Sequence, residues 1–277
     1  MSLRIATNVQ ALSAQRFLND NVALQNRSLE RLSSGSRINH ASDDAAGLAI
    51  SERLRANIRS MKQASRNAND GISLVQVAEG ALNEVGNILV RLRELSIQAA
   101  SDTIGDPERQ FINKEVQHLK AEVDRISNST EFNGTKLLNG HSGDLDIQIG
   151  INNNPTEDRL TFDSGNRVST LEGIGITSVS TTTKQEAQEN MSMIDGAIQK
   201  LAENRAGLGA LQNRLLSTIN NLSIYRENLE GANSRIRDTD MAEETSELVK
   251  QNILTQANVA TLGQANQIPQ LALKLIS

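Results

Sequence analysis

The chain is 277 residues long and has no Cys, no Trp, one Tyr and four Phe. This excludes disulfides, thiol catalysis and thiolate metal sites, and it leaves Leu, Ile, Val and Ala to form a core, a set suited to helix seams. The formal net charge of −5 argues against a general nucleic-acid binder, which needs clustered Lys and Arg, and no run approaches the ~20 apolar residues of a membrane span.

From the start of the chain, MSLRIATNVQALSAQRF lacks the continuous apolar run of a secretory signal peptide. Residues 1–42 form a first segment with helical apolar spacing at Leu18, Val22, Leu29 and Leu32. Residues 1–66 carry ten basic and five acidic side chains. Between 238 and 247 stand Asp238, Asp240, Glu243, Glu244 and Glu247 with no base. Two solvated faces and mutual pairing of the chain ends both fit that asymmetry.

Residues 43–236 read as one helical bundle domain. Asp43 and Asp44 are candidate caps at its start. Leu74, Ala78, Ala81, Val85, Ile88, Leu92, Leu95 and Ala99 recur at steps of three and four, the spacing of a coiled-coil face. With Asp106 as cap, Pro107 suits the first turn of a third helix, whose apolar positions are Ile112, Val116, Leu119, Val123 and Ile126. Residues 130–183 then read as strands and turns. Asn133-Gly134 and Asn139-Gly140 favour tight turns, and Leu145, Ile147 and Ile149, like Leu160 and Phe162, alternate with polar residues. SVSTTT at 178–183 is a polar loop.

The strongest heptad follows. Ala187, Met191, Ile194, Ile198, Leu201, Leu208, Leu211, Leu215, Leu222, Tyr225, Leu229, Ala232 and Ile236 share one frame, broken by Arg205 and Thr218. Its partner is the run through Leu74–Ala99, and three helices sharing one seam make an elongated, mainly α, long-helix coiled-coil bundle with a small β-hairpin region. Residues 237–277 form a last helical segment, with Ile268, Leu271 and Leu275 at steps of three and four. A single amphipathic helix is marginal in water. The two chain ends therefore either pair with each other or become ordered when other subunits cover them.

Catalytic and ligand-binding patterns are missing from the sequence. His40, His118 and His141 have no companions at metal-ligand spacing, and no phosphate-binding glycine motif or nucleophile elbow occurs. No enzyme activity, cofactor or metal is expected.

LSSGSRINHASDDAAGLAIS at 32–51 resembles the N-terminal motif of the bacterial flagellins. Further segments follow in family order: NDGISLVQVAEGALNEVGNILVRLRELSIQAA at 69–100, EVDRISNSTEFNGTKLLNG at 122–140, LGALQNRLLSTINNL at 208–222, ANSRIRDTDMAEE at 232–244 and QANQIPQLALKLIS at 264–277. A hook-filament junction protein and a soluble coiled-coil scaffold are the alternatives, and the contiguous DDAAGLAIS and RIRDTDMAEE match flagellin better.

The resemblance implies a homopolymer forming the extracellular flagellar filament, the propeller for swimming. It implies unfolded export through the flagellar type III apparatus, with a secretion chaperone, and hook-associated junction and cap proteins as partners. No nucleic acid or membrane partner is implied. The terminal helices would form the filament's inner layer. With only 141–183 between the third helix and the returning one, no large outer domain is expected. A host Toll-like receptor recognises the family through an Arg and a Leu on the first long helix and a Glu after the turn, which carry over to Arg91, Leu95 and Glu115. The position before that Arg, Gln in strongly detected flagellins, is Val90 here.

Overall fold

The computed structural model describes residues 7–276, with side chains described for 7–267. Its elements are α1 (Val9–Ser34), α2 (Ala45–Ala99), α3 (Asp106–Ser129), β1 (Glu131–Phe132), β2 (Thr135–Lys136), β3 (Asp144–Gln148), β4 (Arg159–Asp163), α4 (Leu171–Ile174), α5 (Lys184–Arg237) and α6 (Met241–Ile276). The fold is mainly α. The chain divides into two compact units, one of Asn57–Glu227 and one joining Met1–Ala56 to Asn228–Ser277. Their borders fall inside α2 and α5.

In the unit 57–227 the core is almost wholly aliphatic, as the composition requires, with Phe162 its one fully buried aromatic among the described residues. Along α2, Ala68, Gly71, Val75, Ala78, Leu82, Val85, Leu89, Leu92, Ser96 and Ala99 are all buried, at alternating steps of three and four. Leu74 and Leu95 are buried beside this line, while Ala81 and Ile88 are half-buried against the core. The buried stripe is thus wider than one two-helix seam: it keeps Ala78, Val85, Leu92 and Ala99 of the expected spacing and moves the alternate positions one residue on, to Val75, Leu82, Leu89 and Ser96. The reason is that α2 is flanked twice: Arg91 reaches Glu115 of α3 at 2.9 Å and Arg93 reaches Asp195 of α5 at 2.6 Å. On α5, Ala187, Ile194, Ala197, Leu201, Leu208, Leu211 and Leu215 are buried. Ile198 is half-buried against the core. Leu222 and Leu229 are half-buried outside it, and Tyr225 is 51% exposed.

The third helix begins one residue earlier than its proline suggests. Asp106 is already helical, and Gly105 is the N-cap, with no side-chain oxygen to offer. The Asp106 carboxylate instead accepts from Arg109 at 2.8 Å. Arg109 is buried, and its guanidinium also donates to the carbonyls of Ala99 (2.8 Å) and Ser101 (3.0 Å). It thereby satisfies acceptors left over at the C-terminus of α2. Lys120, likewise buried, donates to the carbonyls of Thr177 (2.7 Å) and Val179 (2.9 Å), which fastens the loop before α5 to α3. Burial pushes the Lys120 ammonium below its ordinary pKa.

Two antiparallel hairpins complete this unit. In the first, Phe132 pairs with Thr135 across Asn133 and Gly134, which sit at φ of +51° and +80°. In the second, Leu145 pairs with Phe162 and Ile147 with Leu160, so the alternating residues face the core and Phe162 is fully buried. A Cβ on Gly71 would lie 2.8 Å from Ile147 Cδ1, showing how closely β3 approaches α2. The loop between β3 and β4 is closed at its base by Asp158, whose carbonyl accepts from Ile149 N–H (2.8 Å) and Gly150 N–H (3.0 Å) and whose carboxylate accepts from Asn154 N–H (3.0 Å).

Candidate assembly surface

The second unit is built around α1 and α6. Asn8 caps α1 by accepting from Ala11 N–H at 3.1 Å, and its amide donates across to the carbonyl of Ala265 at 2.8 Å. Gln25 donates to Asn252 at 2.7 Å, and Arg31 lies 3.6 Å from Glu244. As the numbers rise on α1 they fall on α6, so the helices are antiparallel. The chain ends pair with each other.

Gly35 ends α1 in the left-handed region at φ +68°, donating to the carbonyl of Arg31 at 2.8 Å. The backbone then runs back beside the segment leading into α6. Arg37 N–H donates to the carbonyl of Arg237 (2.6 Å), Thr239 N–H donates to that of Gly35 (3.0 Å), and Ser36 bridges Asp238. Beyond this crossing Asp43 accepts from His40 N–H (3.0 Å) and Asn39 N–H (3.2 Å), while Asp44 accepts from Gly47 N–H (2.8 Å) at the start of α2. The two adjacent acids thus divide the work of turn and cap. The His40 N–H holds the Asp43 carboxyl below its ordinary range, and the Arg237 guanidinium, 2.7 Å away, does the same for Glu52. Asp240 accepts from Ala242 N–H and Glu243 N–H at the start of α6, and Glu243 and Glu244 in its first turn complement the helix dipole. The acidic run therefore has two uses, helix start and partner for Arg31.

Among the described residues, what this pair fully buries is small or polar: Ala14 and Ser28 of α1, Gln251 and Ala265 of α6. What it leaves outside is apolar. Val9, Leu12, Phe17, Val22, Leu24 and Leu29 of α1 are between 39% and 60% exposed, and Val249, Ile253, Leu254 and Val259 of α6 are comparable. Two helices can bury only one face of each, so aliphatic residues all round both helices require further coverage. A groove of about 460 Å³ between Phe17, Ala14, Thr261 and Ala265 opens on the same surface. Of the positions singled out from spacing, Leu18 and Leu32 are half-buried and Val22 and Leu29 exposed. The side chains of Ile268, Leu271 and Leu275 lie outside the described residues. Leu12, Phe17, Val249 and Ile253 do not stand out from the spacing of a single stripe; their signal is apolar residues recurring off it.

In the unit 57–227, Arg91 donates to Glu115 through two nitrogens (3.0 and 2.9 Å) and to Glu94 at 3.1 Å. These bonds, that to Glu115 first, raise its pKa. Arg91 and Glu115 are therefore neighbours on the surface. Leu95 is not with them; it is 1% exposed and packed in the core. Among the described residues no group of His, Asp and Glu is arranged to hold a metal ion, and no helix is long and apolar enough to cross a membrane.

Apolar residues left exposed around this helix pair mark a surface that packs against further molecules. The bacterial flagellin N-terminal helical region matches residues 5–142, and the bacterial flagellin C-terminal helical region matches 191–276. A flagellin of Halalkalibacterium halodurans is 45% identical over 270 residues, covering 97% of this chain and 98% of the relative. The flagellar filament 33 kDa core protein of Treponema phagedenis is 40% identical over 286 residues, covering 97% and 98%. The crystal structure of Bacillus cereus flagellin aligns with a TM-score of 0.51 at 31% identity, covering 57% of this chain and 88% of that one. The chain belongs to the bacterial flagellin family. It is a structural subunit of the extracellular flagellar filament, polymerising with its own kind, and not an enzyme.

Proposed function

We propose that subunits join through the outward apolar faces of α1 and α6, so that the terminal segments 1–42 and 237–277 become the inner layer of the filament. The observation that carries this reading is the exposure of Leu12, Phe17, Val249 and Ile253, each above half, on a helix pair whose buried contacts are mainly Ala, Ser and Gln. Covering such a face is the main driving force available to an uncharged interface. The seam residues Leu74, Val85, Ile88, Leu92, Ile198, Leu208, Leu211 and Leu215 keep each subunit's helices together and take no direct part in joining neighbours, whereas Leu222 and Leu229 lie outside that core.

The test is growth from filament seeds, followed by negative-stain electron microscopy. Leu12→Asp and Val249→Asp leave the helix content of the monomer unchanged and abolish elongation. Elongation of both variants at the wild-type rate would refute the assignment of this surface.

The protein leaves the cell unfolded through the flagellar type III apparatus with a secretion chaperone, and it meets junction and cap proteins at the filament ends; absence of Cys and the family membership support this. A strain lacking the export apparatus retains the protein inside the cell. A host Toll-like receptor reads Arg91 and Glu115 on the bundle surface, and Leu95 acts by holding α2 in place beneath them. Arg91→Ala with Glu115→Ala lowers receptor signalling by the monomer, and unchanged signalling would remove the receptor as a partner.

A further inference from the structure

The same reactive dipeptide occurs twice in the sequence, in two different settings. An Asn followed by Gly is open to attack by the next peptide nitrogen, because Gly offers no Cβ to block the approach. Asn133-Gly134 forms the tip of the hairpin between two-residue strands. Both residues are exposed, the Asn133 side chain takes no hydrogen bond among the described residues, and open space surrounds Gly134. Asn139-Gly140 is held differently. The Asn139 side-chain oxygen accepts from His141 N–H at 3.1 Å, and His141 Nδ1 lies 2.8 Å from the Asn139 carbonyl. A Cβ on Gly140 would lie 2.6 Å from Val168, so this backbone is closely packed.

We propose that Asn133 is a site of spontaneous deamidation and that the fold protects Asn139 from the same reaction. The Gly134 backbone nitrogen bonds to Cγ of Asn133 and gives up its proton. The Cγ–Nδ2 bond of Asn133 breaks and ammonia leaves, giving a five-membered cyclic imide. Water then opens the ring at either carbonyl, yielding Asp or isoaspartate at position 133. One water is consumed, one ammonia is released, and nothing is oxidised or reduced.

The product alters the hairpin in two ways. Either acid adds a negative charge at a tip whose strands are tied by the Lys136–Glu131 pair. Isoaspartate also adds a methylene to the main chain, which a two-residue turn with both central residues at positive φ cannot absorb without losing its register. The exposed hairpin thus carries a slow chemical change that neighbouring sequence of identical type does not share.

The experiment incubates the purified full-length protein in mildly alkaline buffer, folded and in urea, and follows tryptic peptides by mass spectrometry. Asn133 falls in Ile126–Lys136 and Asn139 in Leu137–Arg159, so the sites separate on digestion. In the folded protein the amide-to-acid mass gain accumulates in 126–136 at least about tenfold faster than in 137–159, the protection that ~1.4 kcal/mol of local opening gives. In urea the two rates converge, since the sequences around the bond are alike. Fragment ions place the acid at 133, isoaspartate methyltransferase labels it, and Asn133→Gln abolishes the signal in that peptide alone. Equal rates in the folded protein, a modified Asn128 in place of Asn133, or no conversion of the folded protein would each overturn the proposal. The urea comparison uses wild-type protein only, so it holds even if the Gln variant misfolds.

Discussion

Two adjacent residues of α2 decide which face of that helix carries the core. Leu89 is fully buried, whereas Ile88 is half-buried at the edge of the same cluster. Leu89→Ala removes three carbons, worth about 2.4 kcal/mol at ~0.8 kcal/mol each. The cavity left behind adds to this, within the range of ~2–5 kcal/mol for such truncations, so the expected loss is about 3–4 kcal/mol. Ile88→Ala loses about half the transfer term and regains a few tenths through the better helix propensity of Ala, so its expected loss is about 1–2 kcal/mol. Urea unfolding followed by circular dichroism measures both, provided the denaturant slope matches wild type. A result in which Ile88→Ala costs as much as Leu89→Ala would refute the assignment of the seam centre to Val75, Leu82 and Leu89.

Three further outcomes follow from the same geometry. Arg109→Met leaves the Ala99 and Ser101 carbonyls without their donor and costs about 2–4 kcal/mol, with faster amide exchange confined to the turn between α2 and α3. Gly80 has open space where a Cβ would go, whereas Gly71 faces Ile147; Gly80→Ala therefore stabilises by about 0.5–1 kcal/mol, and Gly71→Ala gains less or loses stability in the same melt. The folded-state pKa of Asp43 lies below its ordinary 3.8, so its contribution is complete above that value and is lost as the pH falls through the depressed one. The protection of the Asn39 and His40 amides, taken relative to the intrinsic exchange rate at each pH, accordingly falls on acidification in wild type, and Asp43→Asn flattens that dependence.

The helices were legible because their signal is long. Stretches such as Leu208–Leu215 repeat one spacing often enough to outweigh local exceptions, and the alternation Leu145, Ile147, Ile149 marked β3 by its different period. The seam's centre was harder, because α2 packs against α3 and α5 at once and both Ile88 and Leu89 are apolar. Spacing alone ranks them equally; only the position of the second neighbour separates them. Arg109 and Lys120 were not readable as buried residues, since their bonds depend on carbonyls that tertiary packing brings near. Leu95 stood in two readings at once: its spacing put it on the coiled-coil face and the resemblance made it a contact residue, and the fold places it inside, with Arg91 and Glu115 at the surface. On α1 and α6 the apolar residues lay in plain view, and what the sequence lacked was the partner that would have shown which of them face inward.

The loop closed by Asp158 between β3 and β4 gives the molecule room to grow. Its two ends are fastened by main-chain bonds from Ile149 and Gly150, and Asn152 and Asn153 are exposed. Lengthening a flexible loop costs only about 0.6 kcal/mol for each doubling, and residues added between Asn152 and Asn153 touch neither Leu160 nor Phe162. A foreign peptide, or an entire additional lobe, spliced in at this tip leaves the core that holds the subunit intact. The exterior of the molecule can therefore change at a pace that its interior does not have to follow.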